Sequence, residues 1–427
     1  MSHHAALNQS NLRHTGRVNR SLSQQIKNKH MSTVSHTDVA IIGGGPVGLA
    51  TALSLAKTGL TVTVLERAPE AVWEEPSFDG REIALTHHSV NILKNLGAWQ
   101  HIPETAICPL REARVETGKF PHPLRFDTNG RGVEALGWLV SNNQIRRALY
   151  AAAAAHQNIT LLSGVSVETV RQNPDHAVIH HSKAQLAAQL VIGADGRFSP
   201  TRQRAGIGAI IHDFKRTMMV CRMAHESPHH NVATQWFDEG QTIALLPVNG
   251  MASSLVLTLP PEDIQRLLSL PQDDFNKDIM NRVGNRLGTM RLVSTRHAYP
   301  LKGVYAHRFT SRRLALVGDA AVGMHPITAH GFNLGLKGQE TLAEEVARSV
   351  SKCGDAGLTS GLRRFEQRHR LATAPLFAGT NGIASLYTHD GAPFRHLRET
   401  GIRLADAFTP FKSVVTSLLM DRHSASH

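Results

Sequence analysis

Residues 38–66 constrain this chain more than any other stretch. Asp38-Val39-Ala40-Ile41-Ile42 reads as a short apolar strand, and Gly43-Gly44-Gly45-Pro46-Val47-Gly48 follows it. Leu49 to Ala56 reads as a helix and Thr61-Val62-Thr63-Val64-Leu65 as a second strand, with Glu66 at its end. A bare G-x-G-x-x-G is a common glycine-rich turn. Strand, glycines, helix, strand and acid in this order make a βαβ unit shaped for a dinucleotide. Gly43 permits the tight turn, Gly45 lets a pyrophosphate reach the backbone at Pro46 and Val47, and Gly48 lets the helix lie on the sheet. The helix N-terminus then supports the phosphates. Glu66, with Arg67 beside it, falls 18 residues after Gly48, where a carboxylate takes ribose hydroxyls. Its charge disfavours NADP at this site, because it would repel a 2′-phosphate. The motif leaves NAD and FAD open.

The rest of the chain narrows the class. Its 427 residues are 41% hydrophobic and 19% charged, an ordinary globular balance. At about 150 residues per domain, two or three domains are expected, or one large domain with insertions. No window approaches 18 consecutive apolar residues, so a spanning helix is not expected. Cys108, Cys221 and Cys353 are far apart and form no C-x-x-C, which suits a reducing, cytoplasmic setting and argues against a zinc cluster or redox disulfide. The formal charge is +12. Arg13, Arg17, Arg20, Lys27 and Lys29 supply five of those charges, and without them 41 basic residues face 34 acidic ones. The scattered remainder suits an anionic membrane surface or acidic partner, but no basic face with aromatics suggests nucleic acid. Residues 1–37 are polar and aperiodic and read as a disordered tail. They have no secretory apolar region, and Met31 is the expected alternative start. His225-Glu226-Ser227-Pro228-His229 matches the H-E-x-x-H zinc motif in letters only, because Pro228 breaks the helix that motif requires. No metal is expected, and the pairs His87-His88, His180-His181 and His229-His230 read as solvated.

Two later segments choose the cofactor. Leu190 to Arg202 runs a buried strand into Gly193-Ala194-Asp195-Gly196, with Ser199 and Arg202 at fixed offsets. Leu314-Ala315-Leu316-Val317 runs into Gly318-Asp319-Ala320-Ala321. His325-Pro326 and Ala329-His330-Gly331-Phe332-Asn333-Leu334-Gly335-Leu336 follow, and a helix is expected from Gly331 to Ser349. These three motifs, in this order, resemble the flavoprotein aromatic hydroxylases with a single nucleotide-binding domain. Arg81-Glu82-Ile83-Ala84-Leu85 and the His325–Leu336 run resemble the UbiH/UbiF/VisC branch of ubiquinone-biosynthesis hydroxylases, over roughly residues 38–420. Two departures stand out. Thr328-Ala329-His330-Gly331 replaces the usual Ala-Gly-Gln-Gly. Lys337-Gly338-Gln339 stands where the branch places Asp within two residues of Leu336. Both variants are similar to the UbiM subgroup of 5-demethoxyubiquinol hydroxylases.

The resemblance implies an α/β fold of class A flavoprotein monooxygenase architecture. A discontinuous Rossmann-like FAD-binding domain (38–105, 132–203 and 296–378) would carry an inserted mixed-sheet substrate domain (106–131 and 204–295), with a C-terminal helical segment at 379–427. It places Gly43, Gly45, Pro46, Val47 and Gly48 at the pyrophosphate, and Glu66 and Arg67 at the adenosine side. Arg81 would reach the flavin side, and Asn142 matches loosely as a polar contact. Asp195 would support the pocket. Asp319, after Gly318, would bind the ribityl chain, and Pro326, Gly331, Phe332 and Asn333 would border the isoalloxazine. A physical argument stands beside the last assignment. Reduced flavin is negative near N1 and O2, and a helix starting at Gly331 aims N–H groups and a positive dipole end at such charge.

The implied reaction hydroxylates the ring of a polyprenylated ubiquinone precursor through a flavin hydroperoxide, at C5 in the 5-demethoxyubiquinol type. His330 is the candidate base, although a histidine hydrogen-bonded in a loop explains it equally. With no second G-x-G-x-x-G, NAD(P)H would bind transiently, or another donor would supply electrons. The alternatives are hydroxylation of a small soluble aromatic, reduction of prenyl double bonds, and a non-catalytic FAD-bound member of a quinone-biosynthesis complex. A flavin halogenase is disfavoured by the lack of W-x-W-x-I-P. Ala244–Val248 and Ser253–Leu259 read as strands of the substrate domain. Pro260 to Leu287 reads as helical, with Ile264, Leu267, Leu268, Phe275 and Ile279 at core spacing. Phe394, Leu397, Gly401, Leu404, Phe408, Phe411, Val415 and Leu418 form a stripe interrupted at Pro410. It suits packing on the FAD domain, with membrane or partner docking as the sharper reading. Homo-oligomer formation is left open.

Overall fold

The computed structural model describes residues 34–117, 123–128, 132–238, 240–326, 331–388 and 420–421. An eight-stranded sheet forms the nucleotide half. Along its main path run β18 (Thr310–Ser311), β19 (Leu314–Leu316), β11 (Ala184–Gly193), β1 (Val34–Ile42), β2 (Val62–Leu65) and β8 (Ile159–Leu162). From β19 to β8 the pairings are parallel. Such strands are covered on both faces and need continuous apolar runs, and Val39–Ile42 and Val62–Leu65 are fully buried. β9 (Val167–Gln172) and β10 (Ala177–His181) extend β11 as an antiparallel side branch.

β1 begins at Val34 rather than Asp38, so residues 34–37, expected within the tail, belong to the sheet. Val34 to Thr37 pair with Gln185 to Ala188 of β11. Val34, Ser35 and His36 are exposed. The strand is extended there by backbone pairing with short polar side chains, Ser35 to the Gln185 carbonyl and Thr37 to that of Thr61, so no apolar pattern marks it. α1 (Pro46–Ala56) follows β1 and is crossed by α8 (Gly331–Cys353). α9 (Thr359–Thr388) packs on α8 and continues through Pro375, so the domain boundary expected at 378 falls inside one helix.

The second sheet has nine strands. Its main path is β20 (Val322–Gly323), β17 (His297–Ala306), β12 (Ala209–His225), β15 (Ala252–Leu259), β14 (Gln241–Val248), β13 (Val232–Asp238), β5 (Glu112–Thr117) and β6 (Leu124–Asp127), with β16 (Met290–Leu292) on β12. The substrate domain is expected to end at 295, but β17 pairs with β12 from Ala209↔Ala306 to Val220↔His297. A strand's partner is not written in its own periodicity. The expected helix from Pro260 to Leu287 is two helices, α6 (Pro261–Ser269) and α7 (Gln272–Arg282). Leu270 is extended because it precedes Pro271. Ile264, Leu267, Phe275 and Ile279 are buried as expected.

A three-stranded sheet joins the halves: β3 (Glu82–Leu85), β7 (Gly137–Ser141) and β4 (Ile107–Leu110). β4 therefore leaves the substrate region to which residues 106–131 were assigned, whereas β5 and β6 stay in it. α3 (His87–Asn95) follows β3, and α4 (Asn142–Ala154) springs from β7. Met420 is buried with Cys108, Leu110 and Leu139 beneath this sheet. Met31 and the Phe394–Leu418 stripe lie outside the described residues. Among those residues, no helix is long and apolar enough to cross a membrane.

Candidate functional site

The glycines of the first turn divide by what surrounds them. A Cβ on Gly43, at φ +108°, would stand 2.5 Å from the Ala194 carbonyl oxygen, and one on Gly48 would stand 2.0 Å from that of Gly43. Both are glycines because backbone closes on them. Gly45 has no neighbouring atom within 4 Å of its Cβ position. That side of the turn is open, as a pyrophosphate cradle requires. Gly45 caps α1 and Pro46 fills its first turn, where a missing N–H costs nothing. Glu66 ties the turn to β2: Oε2 accepts from the Gly44 N–H at 2.7 Å and Oε1 from the Ala68 N–H at 2.9 Å. Arg67 is exposed beside it. Sequence reasoning missed Trp73. Its indole donates to the Gly44 carbonyl at 2.7 Å and fills the space beside that residue.

The second motif is a brace. Both carboxylate oxygens of Asp195 are used inside the loop, one by the Ser199 hydroxyl and one by the Thr201 N–H at 2.9 Å. The buried Arg202 donates to the carbonyls of Arg197 (3.0 Å) and Ala320 (2.9 Å), fastening this loop to the third motif. Arg197, also missed although it follows Gly-Ala-Asp-Gly, donates to Asp319 Oδ2 at 2.9 and 3.2 Å and to the Lys302 carbonyl at 2.7 Å. Asp319 sits on a single turn whose first residue, Gly318, has φ +58°.

These pieces meet at one side chain. A Cβ on Gly318 would stand 3.2 Å from Val47, and one on Gly335 would stand 2.7 Å from it. The Gly43–Gly48 turn, the Asp319 turn and the start of α8 therefore share Val47. Asn333, buried in the first turn of α8, donates to the Ala84 carbonyl at 2.8 Å and accepts from the Thr86 N–H at 3.3 Å, docking the helix on β3. Phe332 is half-buried and Pro326 exposed. His330 lies outside the described residues.

Arg81 and Asn142 are brought together by Asp79, which only its Asp-Gly turn signal marked in the sequence. Arg81 Nη2 lies 2.5 Å from Asp79 Oδ2, and Asn142 Nδ2 donates to the same oxygen at 2.8 Å. The Tyr299 hydroxyl donates to the Asp79 carbonyl at 2.8 Å. Burial pushes the Asp79 carboxyl up, but the Arg81 hydrogen bond and charge outweigh it and hold the group below its ordinary range. His325 is pushed down to about 4, first by burial and then by Arg197 and His212. It is neutral at neutral pH, with its ring edge-on to Phe214.

The H-E-x-x-H letters make no site. His225 ends β12 and bonds the Ser253 hydroxyl at 2.9 Å, while His229 bonds the Val248 carbonyl at 2.8 Å. The described residues contain no cluster able to hold a metal. The expectation that the histidine pairs are solvated is overturned for several members. His87 bonds the Ala135 carbonyl at 2.9 Å, His88 bonds Glu340 at 2.8 Å, and His181 is buried. Partners 48 and 252 residues away capture His87 and His88.

Residues 36–373 match the FAD binding domain family. The chain belongs to this family. It is 41% identical to the ubiquinone hydroxylase UbiM of Neisseria meningitidis over 389 residues, which cover 90% of this chain and 84% of that one. It is 33% identical to the ubiquinone hydroxylase UbiL of Rhodospirillum rubrum, covering 88% and 87%. It is 30% identical to the 3-demethoxyubiquinol 3-hydroxylase of Escherichia coli, covering 87% and 95%. Its membership of the UbiH/UbiF/UbiM type is thereby shown. Among solved structures it is similar to p-nitrophenol 4-monooxygenase PnpA from Pseudomonas putida, at TM-score 0.73 and 20% identity, covering 91% and 98%. That likeness shows the class A monooxygenase fold. The open Gly45 cradle, the acid at the end of β2 and the Asp319 turn beside α8 fit FAD.

Proposed function

We propose that this FAD-dependent monooxygenase hydroxylates the aromatic ring of a polyprenylated ubiquinone precursor, at C5 in the manner of a 5-demethoxyubiquinol hydroxylase. The geometric observation that carries the flavin part is the meeting of three motifs at Val47. The quinone part rests on full-length likeness to ubiquinone hydroxylases. When bound, FAD takes up two electrons, from NAD(P)H or another donor, and uses oxygen to place a hydroxyl on the ring.

The chain's residues bind, orient and exclude water. Gly43, Gly45, Pro46, Val47 and Gly48 would hold the pyrophosphate and Glu66, with Arg67 beside it, the adenosine ribose. Gly318 and Asp319 would hold the ribityl chain, while Arg81 and Asn142 would flank the flavin side. Asp195 acts indirectly, by bracing its loop. The first N–H groups of α8, with Pro326, Phe332 and Asn333 around them, would stabilise negative charge on the reduced ring. His330, next to Gly331, is the proposed base for the substrate phenol. The nine-stranded sheet would roof the ring. A peripheral contact with the cytoplasmic membrane face belongs to this reading, and on α9 it would fall to Leu371, 80% exposed, because Arg364, Arg368 and Arg370 are already paired with Glu344, Glu345 and Glu366.

Complementation with quinone mass spectrometry tests the reading. The chain is expressed in bacterial strains each blocked at one ring hydroxylation of ubiquinone synthesis. Restored ubiquinone in the C5-blocked strain is expected. FAD-loaded protein that restores none of the strains would refute the quinone assignment and favour a soluble aromatic substrate.

A further inference from the structure

Two neighbouring charges on the β3 side of the site have opposite surroundings. Arg81 remains 45% exposed, whereas the Glu82 carboxylate is 2% exposed. The partner of Glu82 comes from the roofing sheet. Arg222 of β12 donates to Glu82 Oε1 through Nε at 2.9 Å and Nη2 at 2.5 Å, and Nη2 also donates to the Ser141 hydroxyl at 2.7 Å. Its guanidinium lies over the Phe78 ring, 4.7 Å from the centroid, and its backbone N–H is held by the Ser294 hydroxyl at 2.8 Å. Glu82 and Ser141 are register partners across β3 and β7. Arg81 precedes one and Asn142 follows the other. One side chain of the substrate half thus grips both strands where the Asp79–Arg81–Asn142 cluster emerges.

Stability alone is a poor reason for such a pair. Desolvating two charges costs about what their attraction returns, and apolar replacements of similar volume are often neutral or stabilising. An apolar pair cannot fix direction as two N–H donors converging on one carboxylate oxygen, with a further bond to Ser141, do. Burial pushes the Glu82 carboxyl up, and the Arg222 charge opposes that. We propose that Glu82 and Arg222 are a positioning pair. They set the seat of the nine-stranded sheet over the Asp79–Arg81–Asn142 cluster, and with it the closure of the flavin side of the site to water. The inference rests on the flavin reading above and adds to it a specific link between the two halves.

The decisive variant is the double substitution Glu82→Met with Arg222→Met, which leaves no charge unpaired. Arg222→Lys, which keeps the charge but loses the two-point grip, is tested beside it. Each FAD-loaded protein is photoreduced without oxygen and then mixed with oxygen and a short-chain demethoxyubiquinol. Hydroxylated product and hydrogen peroxide are counted per flavin. Both variants should retain FAD stoichiometry and shift the product-to-peroxide ratio about tenfold toward peroxide, the scale of a small misplacement near the chemistry. A wild-type ratio in the double variant overturns the proposal. Should that variant not load FAD, a wild-type ratio in Arg222→Lys overturns it instead. A native protein that forms only peroxide would refute the quinol substrate, not the pair. The visible circular dichroism of bound flavin then decides: altered in the variants it supports the proposal, and unchanged it overturns it.

Discussion

Gly45→Ala and Gly48→Ala place the same methyl three residues apart in one turn, and the structure predicts opposite failures. At Gly48 the new Cβ would stand 2.0 Å from the Gly43 carbonyl oxygen and 3.2 Å from its carbon, both backbone atoms. Backbone must move, at an overpacking cost of about 3 kcal/mol, and the better helix propensity of alanine returns about 1 kcal/mol. The net loss of about 2 kcal/mol falls on the apoprotein itself and lowers its Tm by several degrees. At Gly45 the backbone is at φ −72° and ψ 177°, open to any residue, and no atom lies within 4 Å of the methyl. The apoprotein should stay within about 1 kcal/mol of the parent, because only a mild capping preference is lost. The methyl instead occupies the cradle, and a clash of about 1–3 kcal/mol with the pyrophosphate raises the FAD Kd roughly tenfold to a hundredfold. Flavin is stripped from both variants and the parent. Tm is read on the apoproteins, and FAD affinity by fluorescence titration. A Gly45→Ala protein with parental Kd would refute the cradle, and one whose apo Tm falls as far as that of Gly48→Ala would refute the distinction between the two glycines.

Asp319→Ala should purify without flavin absorbance while staying folded, because Arg197 keeps its bonds to the Lys302 and Met324 carbonyls; full flavin absorbance would remove Asp319 from the ribityl site. His330→Gln should retain FAD but lower kcat about a hundredfold, the usual worth of a general base; an unchanged kcat and pH profile would return His330 to a structural role. His325 and His369 are both held near 4 by burial, from an ordinary 6.5. The unfolded chain therefore binds more protons between pH 6.5 and 4, and stability falls as pH drops through that window, by about 3 kcal/mol per histidine. His369→Gln should flatten part of that slope in urea melts between pH 4 and 7; an unchanged slope would show that this histidine does not titrate on unfolding.

What the sequence disclosed and what it hid divide along one physical line. Gly43, Gly45 and Gly48 were legible because the turn's requirements fall on backbone, and a missing side chain is visible in the letters. The βαβ unit and the apolar strands were legible for the same local reason. Arg197 with Asp319, Glu82 with Arg222 and Trp73 with Gly44 were not, because their partners lie 122, 140 and 29 residues apart. Asn142 was only loosely matched, since its role passes through Asp79, 63 residues earlier. The strand residues Val34–Thr37 escaped for another reason: their pairing rests on backbone and on the Ser35 and Thr37 hydroxyls, with no apolar alternation to mark a strand.

The departure at Lys337-Gly338-Gln339 shows how a local anomaly can have a distant cause. Read alone, a glycine in the middle of a buried helix is a cost of about 1 kcal/mol with no return. In the fold, a Cβ at Gly338 would stand 2.5 Å from Cε1 and 2.7 Å from Nε2 of His369 on α9. His369 is 3% exposed, packed against Phe309 and Phe365, and its ring fills the space a side chain at 338 would need. The two positions therefore change together or not at all. Gly338→Asp alone would drive a carboxylate into a neutral imidazole in a closed interface. It should cost several kcal/mol, as an overpacked and unpaired buried charge does. Combined with His369→Ala, which vacates the ring's volume, the same substitution should recover the overpacking part of that loss, while the buried carboxylate stays unpaired. A double variant no more stable in urea than Gly338→Asp alone would show that the glycine answers to something other than His369.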